Sequence, residues 1–196
     1  MITLAVECSS DTASAALFTD DSTPIVRQWV QERRGPDLLF SEVPSLLNEG
    51  TLGIGEVDIF VVGRGPGRFS SLRASLAFAQ AAALPSGKPV LTVSSGKALA
   101  WRTLQQTNAA NVAVIGDARR DTWWVGAFSS IYGMPNQIMD WQTIRSARIK
   151  TLLPPDCTLL SPQYEHLASA FPSEVAAVTG WITGDQVPTA EDVGHL

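Results

Sequence analysis

The residues best suited to chemistry lie in one segment, Gly63-Arg64-Gly65-Pro66-Gly67-Arg68-Phe69-Ser70-Ser71-Leu72-Arg73, set between an apolar run and a long apolar helix pattern. Backbone N–H groups in such a turn, with the positive end of the following helix dipole, can hold an anion, and phosphate is the natural one. Gly65, Pro66, Gly67 and Ser70 form the candidate anion loop, with Arg64, Arg68 and Arg73 as nearby cations. The spacing departs from the dinucleotide fingerprint G-x-G-x-x-G, because Arg68 and Ser70 stand where a third glycine would fall, and no G-K-[ST] follows to make a Walker A loop. A turn that only needs glycine backbone angles, stiffened by Pro66, accounts for the same residues.

Other catalytic sets are thin. Thr92-Val93-Ser94-Ser95-Gly96 lacks the first glycine of a G-x-S-x-G elbow, and no histidine precedes His166 to activate a serine. Glu7 and Asp117 sit at strand ends, where each can hold magnesium, act as a base, or simply cap a turn. Cys8 and Cys157, with His166 and His195, match no usual zinc spacing. No catalytic residue and no metal ligand is assigned. The charged stretch Asp117-Ala118-Arg119-Arg120-Asp121 reads as a hairpin turn.

These residues need a scaffold, and the apolar pattern supplies one. Residues 2–6, 13–18 and 25–30 read as three antiparallel strands, separated by a polar turn and by Asp20-Asp21-Ser22-Thr23-Pro24. Gly35-Pro36-Asp37 starts a helix carrying Leu38, Leu39, Val43, Leu46 and Leu47, which Pro44 should kink or restart. Strands follow at 57–62, 90–93 and 112–115, and helices at 69–84 and 94–104, giving the order βββαβαβ, a mixed sheet covered by helices. From Thr122 the texture becomes aromatic, then Gly133, Pro135, Pro154, Pro155 and Pro162 break the chain into short pieces. The expected division is 1–108 for a first lobe and 109–196 for a smaller, more irregular second one.

The helix at 69–84 is unusual in composition. Between Arg73 and Lys88 it carries no charge, and an apolar pattern on all sides implies cover on more than one of them. Either its own domain buries it, or one face is kept for another protein chain. The chain as a whole is also poor in charge, 17% against the usual share of about 25%.

With 14 Lys+Arg against 19 Asp+Glu the net charge is −5, and no basic run exceeds the pairs Arg33-Arg34 and Arg119-Arg120. A broad basic face that grips nucleic acid unaided is therefore not expected, and any such role should be indirect. No apolar run of the roughly 18 residues needed to span a bilayer occurs, and Glu7 and Asp11 stand where a signal peptide would be apolar. The expected location is the cytoplasm, with both thiols reduced.

Taken together, Leu4-Ala5-Val6-Glu7-Cys8-Ser9-Ser10, the loop Gly63 to Phe69 with Leu72-Arg73, Pro89-Val90-Leu91-Thr92-Val93-Ser94-Ser95 and Asp117-Ala118-Arg119 resemble the TsaB (YeaZ) family over residues 1–128. The resemblance implies an α/β, actin-like fold of the sugar-kinase and Hsp70 kind, with two related lobes. It implies a non-catalytic subunit in making threonylcarbamoyladenosine beside the anticodon of tRNA, bound to a catalytic paralogue, TsaD, and joined by an ATPase, TsaE. It further implies that the subunit pairs through the helices at 37–48 and 69–84 and forms a homodimer when alone. The interface would then draw on Leu38, Leu39, Val43, Leu46, Leu47, Phe69, Leu72, Leu76, Phe78, Ala79 and Ala82. No cofactor is implied for the subunit itself, with ATP or ADP only at the interface of the complex, and contact with tRNA only through the partner.

The paralogue carries two histidines four apart on a helix, which hold a metal, where this chain has Ser95 and Leu99. Departures from the family pattern are Glu7 in place of an Asp, Pro44 within the first interface helix, and leucine pairs one residue further apart. Thr189-Ala190-Glu191-Asp192 reads as a capping box opening a helix, with an expected shortened chain or reduced second lobe thereafter. An ATP-dependent phosphotransferase of the same fold, using Ser9, Ser10 and residues 65–67 around phosphates, is the alternative. A peptidase is a third reading, without nucleophile, base or metal to carry it.

Overall fold

The computed structural model describes the whole chain except residues 21–22, 33–34 and 155. The loop expected at Asp20-Asp21-Ser22-Thr23-Pro24, the pair Arg33-Arg34 and Pro155 therefore lie wholly or partly outside the described residues. In chain order the elements are β1 (Thr3–Glu7), β2 (Thr12–Phe18), β3 (Ile25–Val30), α1 (Leu39–Glu49), β4 (Ile59–Gly63), α2 (Phe69–Ala83), β5 (Val90–Val93) and α3 (Ser95–Gln106). There follow β6 (Asn111–Arg119), β7 (Thr122–Ile131), β8 (Met134–Arg145), α4 (Ile149–Leu152), β9 (Cys157–Leu160), α5 (Tyr164–Ala170), α6 (Pro172–Ala176) and α7 (Ala190–Gly194).

The chain divides into two units, Met1–Ala98 with Pro188–Leu196, and Leu99–Val187. This differs from the division expected at 108/109 in two ways: the break falls inside α3, and the last nine residues return to the first unit. The return has a physical basis, because Ala190 and Val193 are fully buried against Ala5, Ala16 and Val61.

In the first unit the sheet order is β3-β2-β1-β4-β5, antiparallel among the first three strands and parallel from β1 through β5. Alternation along the strands sends Leu4, Val6, Phe60 and Val62 to one face, against Leu39, Val43, Leu46, Leu47, Ala79 and Ala83 of α1 and α2. Ala5, Ala16 and Val61 point to the other face, which α7 covers. Small residues there let a short helix lie close: a methyl at position 194 would fall 2.2 Å from the Phe18 ring, so only glycine fits. The expected capping box is present, with Thr189 Oγ1 accepting from Asp192 N–H and Asp192 Oδ2 accepting from Thr189 N–H.

Pro44 does not make the first helix restart: it runs unbroken from Leu39 to Glu49 with the proline inside it. Both Pro44 and Phe40, the residue whose carbonyl it leaves without an N–H, are exposed, on the side of the helix that faces solvent. The opening order βββαβαβ is as expected.

The second unit is more regular than its prolines suggest. A four-stranded sheet, β8-β7-β6-β9, is built around a long β7–β8 hairpin, with β9 parallel to β6. Pro135 sits in β8, the edge strand, the place in a sheet that tolerates a missing N–H. One face packs Ile115, Trp123, Val125 and Leu159 against Leu167 and Val175 of α5 and α6; the other packs Val112, Val114, Phe128 and Leu160 against Leu99 and Leu104. Among the described residues no helix is long and apolar enough to cross a membrane.

Candidate functional site

The glycine loop begins where β4 ends. Gly65 has φ +81°, a left-handed conformation that glycine adopts freely. Its N–H donates to Ser95 Oγ at 2.9 Å, and its carbonyl accepts from Ser95 N–H at 2.9 Å and from Ser94 Oγ at 3.2 Å. Arg68 N–H donates to the Ser9 carbonyl at 2.8 Å, and Gly67 lies so close to the same carbonyl that a methyl there would fall 2.1 Å from its oxygen. The loop is thus fastened to the β1–β2 turn and to the start of α3. The structure brings Gly65, Gly67, Ser9 and Ser95 together, but the N–H donors of Gly65 and Arg68 are spent on the chain itself. Pro66 is half-buried, and Ser70 is exposed in the first turn of α2.

Arg68 is equally engaged. Its guanidinium bonds Asp11 at 2.6 Å and the Gln31 carbonyl at 2.9 Å, tying the loop to the residues that precede β2 and follow β3. Glu7 is fully buried behind the loop; its Oε1 accepts from Ser9 N–H at 2.6 Å, while Oε2 has no hydrogen-bond partner. Burial pushes the Glu7 carboxyl above its ordinary range, helped slightly by Asp192 and opposed by the hydrogen bonding of Ser9 and Ser95. Burial also raises the thiols, Cys157 to about 11 and Cys8 further, with Glu7 and Asp37 adding to the effect at Cys8. Neither thiol is activated.

Asp117 has the turn role: its Oδ1 accepts from Arg119 N–H at 2.7 Å, and its Oδ2 lies 3.2 Å from His166 Nε2. His195 packs edge-on against Phe18. Ser95 and Leu99 are both buried in α3.

The helical face needs a correction. Leu39, Val43, Leu46, Leu47 and Ala79 are not surface residues: they are buried in the first unit's own core. Helical periodicity picks out the stripe a helix hides, and here that stripe packs on the sheet. Leu38, Leu72, Leu76, Phe78 and Ala82 are half-buried around its margin, and Phe69 stands 73% exposed.

The outer side of α2 is instead formed by Phe69, Ser70, Arg73, Ala77, Gln80 and Ala81, with Leu84 at its end, 80% exposed. Arg73 is the one charge in α2, and its guanidinium lies over the Phe69 ring at 5.5 Å. On α1, Phe40 is 59% exposed and meets Phe78 edge to face with ring centroids 6.0 Å apart, linking the two helices. Phe40 and Leu84 were missed because they fall outside the buried stripe; the lack of charge on all sides of α2 was the signal that could have found Leu84, and no comparable signal marks Phe40 on α1. Chemically the face is open and mixed: Ala77, Ala81, Leu84 and the rings of Phe40 and Phe69 stand among Ser70, Gln80 and the single charge of Arg73.

Residues 37–177 match the family model described as TsaD: tRNA N6-adenosine threonylcarbamoyltransferase. The chain is 31% identical over 116 residues to a tRNA threonylcarbamoyladenosine biosynthesis protein TsaB of Haemophilus influenzae, covering 59% of this chain and 49% of that one. To the protein of the same description from Escherichia coli it is 26% identical over 122 residues, covering 62% and 52%. The chain thus spans about half the length of the curated relatives it matches. A Pseudomonas aeruginosa crystal structure, described as similar to peptidase YEAZ, superposes with TM-score 0.83 at 25% identity, covering 100% of this chain and 89% of that one. The fold is actin-like, and the resemblance to TsaB and YeaZ holds.

Proposed function

Because the chain belongs to the TsaD family of tRNA N6-adenosine threonylcarbamoyltransferases and resembles TsaB and YeaZ within it, we propose that it is a non-catalytic subunit of tRNA threonylcarbamoyladenosine synthesis, acting in the cytoplasm. Its work is to bind a TsaD-like paralogue through the outer face of α1 and α2 and to hold that partner in its active arrangement. A TsaE-like ATPase joins the pair, with ATP or ADP at the interface of the complex and not in this chain alone.

The observation that carries the reading is the outer face of α2, open to solvent with Arg73 as its only charge. Leaving such a surface wet costs about 25 cal/mol per Å² of apolar area, so it is expected to find cover. In the absence of the paralogue a second copy supplies that cover, giving a homodimer. The occupied donors of the glycine loop favour a structural role for it over phosphate binding.

Copurification with the TsaD-like protein of the same organism, followed by reconstitution of tRNA modification with and without this chain, tests the proposal. Assembly and dependence of the modification on the chain are expected. A chain that stays monomeric by light scattering at high concentration and also fails to bind the paralogue overturns it. Turnover by the purified chain unaided does the same.

A further inference from the structure

The β6–β7 turn is built against local preference. Arg119, Arg120 and Asp121 have φ of 73°, 53° and 57°, three consecutive residues in the left-handed region that glycine or asparagine would occupy at lower cost. The turn is nonetheless well braced. The Asp117 side chain, 8% exposed, accepts from Arg119 N–H, and Thr122 Oγ1 donates to the Arg119 carbonyl at 2.7 Å. Asp117 N–H donates to Gln163 Oε1 at 3.0 Å, and His166 stands beside the same carboxylate.

The end of β8 joins this turn directly. Arg145 is the register partner of Thr122, and Ser146 N–H donates to the Asp121 carbonyl at 3.0 Å. Arg119, Arg120, Arg145 and Arg148 are all exposed. The only ion pair among them in the described residues is the long one from Arg119 to Asp117, at 3.9 Å. Beside them lies a recess of about 410 Å³, lined by Asp121, Arg145, Ser146, Phe171 and Glu174 among others.

We propose that this end of the second unit is a contact site for the ribose-phosphate backbone of RNA. Guanidinium groups match phosphate oxygens as bidentate donors, and four exposed ones are gathered on the β6–β7 turn and the end of β8 of an acidic chain, against the carboxylates of Asp117, Asp121 and Glu174. The carboxylates of Asp121 and Glu174 line the recess, where they can accept hydrogen bonds from ribose 2′-hydroxyls, the group that separates RNA from DNA. Arginines held in a conformation that favours glycine fit a role in contact better than one in stability. The contact is local, in keeping with the net charge of −5, and adds to the grip of a larger assembly. That the RNA is tRNA rests on the function proposed above; the backbone contact does not.

The test titrates transcribed tRNA, and DNA of the same sequence, into the full chain alone at low salt and into its complex with the TsaD-like paralogue. The variants are Arg119→Gln with Arg120→Gln, Arg145→Gln, and Arg120→Gly. The double variant is expected to weaken RNA binding about tenfold and to lower the salt slope of the affinity by about 1 to 2. Arg145→Gln moves both in the same direction, and DNA binds more weakly than RNA. Arg120→Gly raises the melting temperature while weakening binding, which removes misfolding as an explanation. Unchanged affinity and slope in every variant overturns the proposal, as does the absence of binding by the wild-type chain both alone and in complex. Loss of paralogue assembly with RNA binding intact also overturns it, in favour of a protein contact. If the wild-type chain fails to assemble with the paralogue, the proposed function falls, and the contact is still decided on the chain alone.

Discussion

Glu7 and Gly63 face each other across β1 and β4 so closely that a methyl on residue 63 would fall 1.8 Å from Glu7 Oε2. The glycine is therefore what allows a buried carboxyl to stand at the end of β1, beside the Ser95 hydroxyl that holds the glycine loop. Gly63→Ala should cost about 1–3 kcal/mol through overpacking. Glu7→Asp, one methylene shorter, should shrink that cost when the two are combined, because the clash is with the carboxyl and not with backbone. Urea denaturation of the two single variants and the double variant reads the coupling; strictly additive changes would refute the contact.

The pH dependence of stability follows from the same carboxyl. Its pKa is raised in the folded state by burial, so the folded chain holds the Glu7 proton at pH values where the unfolded chain has released it. The contribution to stability is complete below the ordinary value of 4.5 and is lost as pH rises through the folded value. Glu7→Gln carries no such proton, so the variant should gain on the wild type steadily as pH is raised from 4.5. Denaturant midpoints measured across that range check the sign, and parallel curves would remove Glu7 as the source.

Helices α1 and α2 separate two kinds of apolar residue that the sequence presents alike. Leu46→Ala on α1, in the shared core, should lose about 2–5 kcal/mol of stability. Phe69→Glu, at a position 73% exposed, should leave stability within about 0.5 kcal/mol and instead abolish association of the chain with itself or with its paralogue. Denaturation and light scattering on the same two variants read both effects. A Phe69→Glu protein that still associates would place the interface elsewhere.

The contrast between those two residues also marks how far the sequence was legible. β3 and β5 fall on the expected residues and α2 within one, because Pro24, Pro89 and Pro85 mark where each begins or ends. The twelve-residue β8 was not foreseen: its exposed edge position leaves it without alternation, and Pro135 looks like a breaker until β8 is seen to be an edge strand. The bonds that close the glycine loop, from Ser95 and Ser9, span 30 and 59 residues of sequence, and no local pattern encodes them. Gly116 and Gly126 were likewise silent, yet Trp124 and Trp141 lie on them so tightly that a methyl would fall 2.0 and 2.7 Å from the rings.

The C-terminal segment illustrates a local signal that needed a distant partner. The capping box at Thr189 was readable, but a helix of five residues is far too short to persist on its own. It is held by Ala190 and Val193 in the core and by Ala190 N–H donating to Ser14 Oγ at 2.8 Å, across 176 residues. Thr189→Ala should therefore cost about 1 kcal/mol and Ser14→Ala a similar amount by leaving a buried N–H unpaired. Both should raise amide exchange across residues 190–194 before any change at β6 or β7. Gly194→Ala should do so more strongly, since the Phe18 ring leaves no room for a methyl. Exchange that rose equally in all strands would mean that α7 unfolds only with the whole chain, and that its docking is part of the global transition and not a separate, weaker attachment.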